Sequence, residues 1–320
     1  MTLGPEYLDY PRRRRGMDHD RYPWVAPPAG RPIGWPRGAG LALMVVVPLQ
    51  WFPLDGVADP IQPVGALDGP YPDYRSYTHR DYGNRVGAFR LFGLLDRMGL
   101  RATVPVNAAV CTRYPALLEA VLTRGWEVVA HGAHMGRLHH AGLAEDDEWA
   151  LIREALDTVR GATGRPVRGW ASPAGAESPR TLALLARCGI EYVGDWANDE
   201  LPYPLGAADG GLWSVPFPHE LSDATVIWQG HHTAAEFAQQ IVDADETLAR
   251  EATPRSGRLL AVALHPWISG QPHRVRVLER ALTPVLTRPG IWSATAAELL
   301  DAVRAAPVGA TRDRSPRDAE

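Results

Sequence analysis

Two histidines, each standing where a short apolar run gives out, are the residues of this sequence best suited to chemistry. His131 follows Val128-Val129-Ala130, and His265 follows the run from Leu259 to Leu264. An imidazole titrates near neutrality, so it can take a proton from one group and give it to another. Other polar side chains stand at or just past the ends of similar runs: Gln50 beside Trp51, Asn107, His134, Glu177, Asp195, Asn198 and Asp199. Such a set suits hydrolysis of an amide or ester. That reaction needs an activated water, an acid for the leaving group and something positive facing the developing oxyanion. No glycine-rich phosphate cradle follows the first apolar run, which disfavours nucleotide chemistry. Plainer readings stand beside these. Glu177 precedes a helix start, where the helix dipole favours a carboxylate without catalytic duty. Asp195, Asn198 and Asp199 are ordinary turn formers, and His139 and His140 read as solvated members of a polar loop.

The elements that must position these residues alternate along the chain. Apolar runs at 41–47, 101–106, 126–130, 167–171, 190–194, 212–215 and 259–264 read as strands. Helical patterns cover 84–98, 115–124, a segment opening at Glu145-Asp146-Asp147, 178–188, 233–251 and a final segment after Thr295. The helix at 84–98 is expected to turn Val86, Phe89, Phe92 and 94–98 inward. Thr233 with Glu236, and Thr295 with Glu298, have capping-box spacing. The alternation predicts an α/β fold whose parallel sheet is closed, or nearly closed, into a barrel, with the chemistry at the carboxyl ends of its strands. Periodicity does not separate that barrel from an open, doubly wound sheet. The long Gly/Pro/Asp segment 53–76 reads as a lid or pocket wall.

With 320 residues, 45% of them hydrophobic, the chain can bury one large core. We expect a single domain at 38–305 between an N-terminal arm (1–37) and a disordered tail (306–320). A net charge of -4 gives no footprint for nucleic acid, and the basic run Arg12 to Arg15 reads as solvated. Cys111 and Cys188 lack disulfide-framework or metal spacing, which fits a reducing interior. No apolar run reaches the roughly 18 residues of a membrane span, and the first residues lack a signal-peptide pattern. A soluble, cytoplasmic protein is expected, with a small molecule as its substrate. Tyr7, Tyr10, Tyr22 and Trp24 in the arm predict self-association.

Taken in order, several motifs resemble the polysaccharide deacetylase superfamily. They are His131-Gly132; Arg168-Gly-Trp170 with Pro173 and Glu177-Ser178; Asn198-Asp199 before Leu-Pro-Tyr; and Leu264-His265-Pro266 with Gly270-Gln-Pro272. Tyr82-Gly83-Asn-Arg85-Val-Gly87 is similar to the branch that holds metal-independent allantoinase and intracellular peptidoglycan-deacetylase-like proteins. The resemblance runs over residues 20–303. It implies a distorted (β/α)7-type barrel, a tendency to dimers or tetramers, and a general-acid role for His265. The family also carries an aspartate pair after its first strand, where this chain has Pro48-Leu49-Gln50. Its His-x-x-x-His zinc pair corresponds to His131 and Met135, with His134 one residue out of phase. No cofactor is therefore expected, and zinc at His131 would need a loop that replaces the lost ligands.

The expectation is a hydrolase of carbon–nitrogen bonds, other than peptide bonds, in a small amide, acylated amine or cyclic ureide. His265 protonates the leaving nitrogen and His131 polarises or deprotonates. Gln50, Asn198 or Asp199 orients water and substrate; Trp51, Trp170 and Trp267 wall the pocket, with His134 and Glu177 also in contact with substrate. Two alternatives remain: a degenerate member that binds a ligand without turnover, and one recruited to other chemistry in a biosynthetic pathway.

Overall fold

Strand β1 (Leu41–Val46) is buried along its whole length, as befits a parallel strand covered on both faces. In the computed structural model, which describes residues 33–55, 72–206, 211–253 and 256–306 with His19, Arg21, Tyr22 and Trp24, it lies one strand in from an end of a curled sheet. The other strands are β2 (Ala102–Val106), β3 (Glu127–Ala130), β4 (Gly169–Trp170), β5 (Tyr192–Val193), β6 (Tyr203–Pro204), β7 (Trp213–Ser214), β8 (Arg258–Ala263) and β9 (Ile291–Ser293). Their order is β6-β7-β5-β4-β3-β2-β1-β8, with β9 also on β1. All pairs are parallel except β6 with β7. Among the described residues no ladder joins β7 to β8; an isolated bridge from Ser222 to Ala263 is what spans that side. The result is an α/β half-barrel, as the alternation predicts. Most of the arm, including Tyr7 and Tyr10, the segment 56–71 of the expected lid, and 307–320 of the expected tail lie outside the described residues.

The two faces of β1 enter different cores. Leu41, Leu43 and Val45 join Leu91, Phe92, Leu117 and Leu156 from the surrounding helices. Ala42, Met44 and Val46 instead meet Trp35, Ala171, Ala263, Leu299 and Leu300. Both capping boxes read from the sequence form, at the starts of the helices Ala234–Glu251 and Ala296–Ala305. Cys111 and Cys188 are free. No helix among the described residues is long and apolar enough to cross a membrane.

One helical segment departs from the expectation in a way that matters for the site. Helix α1 (Tyr74–Tyr82) starts ten residues before the predicted helix, taking in the end of the supposed loop, because Asp73 caps it by accepting from Ser76 N at 3.0 Å. A π-helical turn (Gly83–Gly87) joins it to α2 (Ala88–Arg97). The wide turn changes the phase of the apolar stripe, so Val86 and Phe89, expected inside, are 40% and 46% exposed. Glycine is required here. A Cβ at Gly83 would stand 2.7 Å from Trp267 N, and one at Gly87 would stand 2.1 Å from Pro266 O. The two glycines let the turn press on the segment that follows His265.

Candidate active site

The carboxyl ends of neighbouring strands form a rim, and backbone ladder bonds run directly into its residues. His131 N donates to Val106 O at 2.9 Å, Asn107 N to Leu49 O at 3.1 Å, and Leu264 N to Val46 O at 2.8 Å. Asn107, fully buried, stitches the rim further. Its Oδ1 accepts from Trp51 N at 2.9 Å, and its amide donates to His131 O. After His131 the chain must turn at Gly132, with φ of 64° and a position where a Cβ would meet Pro173 Cγ at 2.6 Å.

His131 is buried, and its ring bonds assign its state. Nδ1 lies 2.8 Å from Ala171 O, a pure acceptor, so Nδ1 carries the proton. Nε2 is then a lone pair, and it receives the Gln50 amide at 3.2 Å. Burial lowers the pKa to about 4, with nearby His265 adding in the same direction against the opposing carbonyl bond. The imidazole is neutral at pH 7, with its lone pair directed at Gln50.

Across the rim His265 is held by a carboxylate. Its Nδ1 lies 2.6 Å from Asp223 Oδ1, and its backbone N–H donates to both Asp223 oxygens, at 3.0 and 2.8 Å. Asp223 is fully buried. It fixes the proton on Nδ1 and points Nε2 away. Sequence reading missed Asp223, and no local pattern marks it, since it stands 42 positions before its partner.

A second pair of acids sits beyond His131. Asp195, at the end of β5, accepts from Ser172 N at 2.9 Å through each oxygen. Glu177 accepts from Trp196 Nε1 at 3.1 Å, and the two carboxyls are hydrogen-bonded to each other. Burial raises both pKa values, and the charge of Asp195 raises Glu177 further, so the pair retains a proton well above the usual carboxylate range.

Other expected residues fall in different places. Trp51 packs edge-on to His134 at 5.3 Å, and Trp267 lies 6.4 Å from the His265 ring, between centroids. Trp170, expected in the pocket wall, is wholly buried in the core and donates to Ser172 Oγ at 3.0 Å. Asn198 and Asp199 are exposed and occupied in turn formation: Asp199 Oδ1 accepts from Leu201 N at 3.0 Å, and Asn198 accepts from Tyr203 OH. The turn reading therefore fits Asp199 better than a catalytic one, and the carboxylate that does address a histidine is Asp223. His139, read as solvated, is buried against Trp170 and lies 3.4 Å from Glu148, whose oxygens also accept from Ser178 and Thr181 at 2.5 Å. Burial of that acid is tolerable because every oxygen has partners.

The donors expected for zinc do not fit the ion. Gln50 offers an N–H to the one histidine lone pair in question, Met135 is a buried thioether, and His134 Nδ1 accepts from Gly136 N at 3.1 Å. A divalent cation of that kind needs imidazole, thiolate or carboxylate in a converging set. Among the described residues no group of three or more His, Cys, Asp or Glu converges in that way.

Comparison with known proteins agrees with this architecture. Residues 74–193 match the family model for polysaccharide deacetylase. A Schizosaccharomyces pombe protein provisionally named a polysaccharide deacetylase is 22% identical over 86% of this chain and 94% of its own. A crystal structure from Pseudomonas aeruginosa PAO1, likewise named provisionally, superposes with a TM-score of 0.77 at 24% identity, covering 86% of this chain and 95% of that one. The PuuE allantoinase structure gives 0.76 at 21%, covering 85% and 93%. The chain is thus similar to polysaccharide deacetylases over residues 74–193 and has the (β/α)-barrel-like fold of these structures.

Proposed function

We propose that this domain hydrolyses a carbon–nitrogen bond, other than a peptide bond, in a small amide, acylated amine or cyclic ureide, without a resident metal. The observation that carries the reading is the opposite bonding of the two imidazoles, one held neutral by a carbonyl and an amide, the other held ready for charge by a carboxylate. A water taken up at Gln50 and His131 would be aligned by the amide and lose its proton to the His131 lone pair as it attacks the substrate carbonyl. His265, its Nδ1–H fixed on Asp223, would present protonated Nε2 to the leaving nitrogen. A nitrogen leaves readily only once protonated, so this acid governs bond cleavage. Trp267 contributes apolar surface beside His265, and Trp51 beside His134, which favours a small, flat substrate.

A panel of small acylamines and ureides, scored by release of ammonia, amine or acid, tests the reading. Turnover of at least one compound is expected, unchanged after treatment with a chelator, with less than stoichiometric zinc by elemental analysis. Activity lost on chelation and restored by zinc would refute metal independence, and ligand binding without turnover across the panel would refute the hydrolase.

A further inference from the structure

We propose that Asp195 is a positioning residue for His131, one that acts on the base of the hydrolase reading above through a single peptide unit. That unit joins Ala171 to Ser172, just past the end of β4. Its carbonyl lies 2.8 Å from His131 Nδ1, on the β3 side, and its N–H donates to both Asp195 oxygens at 2.9 Å, on the β5 side. The amide is conjugated, so an anion accepting at its nitrogen end draws negative charge onto its oxygen end. Ala171 O thereby becomes a stronger acceptor for the His131 ring. A stronger acceptor there keeps the proton on Nδ1 and enriches the lone pair at Nε2, where the proposed base takes its proton.

The surroundings hold this unit in register and set the charge beside it. Ala171 N donates to Ala130 O at 2.9 Å, and Gly194 N to Trp170 O at 2.9 Å, so ladder bonds fix the peptide between β3 and β5. Pro173 rests against Gly132, where a Cβ would stand 2.6 Å from the proline ring and push the two loops apart. The Ser172 side chain is engaged separately, its Oγ accepting from Trp170 Nε1 at 3.0 Å. Asp195 and Glu177 are hydrogen-bonded to each other, and they are not equivalent. Burial and then the charge of Asp195 raise the Glu177 pKa, whereas the bonds from Ser172 oppose the effect of burial on Asp195. The proton of the pair thus resides on Glu177 and the charge on Asp195. Hydrogen bonds in series then run from Glu177 through Asp195 and the peptide to His131. A neutral acceptor would satisfy the Ser172 N–H equally well, and two acids side by side are costly to bury. A charge kept there by a neighbouring acid suits a site that uses it. His265 meets its carboxylate directly, with Nδ1 2.6 Å from Asp223 Oδ1, whereas His131 meets one at second hand.

Nuclear magnetic resonance of the full chain with labelled histidines, at neutral pH and without substrate, tests the link. The His131 ring signals are identified by their absence in His131→Gln. In wild type the two ring-nitrogen shifts should lie far apart, as in a single neutral tautomer with its proton on Nδ1. Asp195→Asn keeps an acceptor for the Ser172 N–H but removes the charge, so the Nδ1 proton should move upfield and the two nitrogen shifts should draw together. Asp195→Ser, a smaller neutral acceptor, gives the same readout should the asparagine variant fail to fold. Glu177→Gln leaves the charge on Asp195 and should leave the His131 signals in place. On the best substrate of the panel, Asp195→Asn should lower kcat about fivefold, with KM within about twofold. His131 signals unchanged in the Asp195 variants, signals that move as far in Glu177→Gln, or an undiminished kcat would overturn the proposal. The two readings fail separately. Turnover with His131 signals indifferent to Asp195 would remove this link and leave the hydrolase, and responsive signals without turnover of any compound would do the reverse.

Discussion

The ends of β3 and β8 both present a histidine to the rim, yet they bond it in opposite ways. At β3 the partners of His131 are a peptide carbonyl and a primary amide, both neutral, and burial disfavours any charge. At β8 the partner of His265 is a buried carboxylate, whose own desolvation is offset by the His265 backbone N–H as well as the ring. Residue type is the same in the two places. What differs is the charge of the group facing Nδ1, and that alone can separate a base from an acid. The surrounding acids follow the same logic: Glu148, fully partnered, has a lowered pKa despite burial, whereas Glu177, set against Asp195, has a raised one.

The largest expected effect removes the charge at β8. Asp223→Asn keeps the shape of the side chain but can no longer favour an imidazolium, so kcat should fall on the order of 10³-fold with little change in KM. Steady-state kinetics on the best substrate of the panel would measure this, and a kcat within a few-fold of wild type would erase the distinction between the histidines. A smaller effect concerns stability at β3. Unfolded His131 takes up a proton below its ordinary value of about 6.5, while the folded group refuses one until about 4, so stability must fall as pH drops through that window. Denaturant unfolding at pH 7 and at pH 4 should show wild type losing about 3 kcal/mol more than His131→Gln. Equal losses in the two proteins would mean that the ring is not held neutral. The mildest change makes β3 resemble β8. Gln50→Glu places a carboxylate against Nε2 and should raise the His131 pKa by about one unit or more. The acidic limb of kcat/KM would then move to higher pH by a similar amount; a limb that stays put would assign it to another group.

Local sequence determined the frame on which this difference is built. Apolar runs ending in His131 and His265 and the Thr233 and Thr295 capping boxes each express a constraint that a few neighbouring residues satisfy alone, which is why they are legible without a structure. The ordered motifs likewise gave the deacetylase-like fold. Tertiary structure decided the partnerships. Asp223 reaches His265 across 42 residues, Gln50 reaches His131 across 81, and Asp195 accepts from Ser172 across 23. The same is true of burial at His139 and of the exposure of Val86 and Phe89 after the π turn. Hydrophobic periodicity reports which way a backbone faces, but it says nothing about which distant polar group will occupy the space opposite. The protonation states on which chemistry depends are set by that opposite group and by the water it excludes, and both come into being only when the strands are brought side by side.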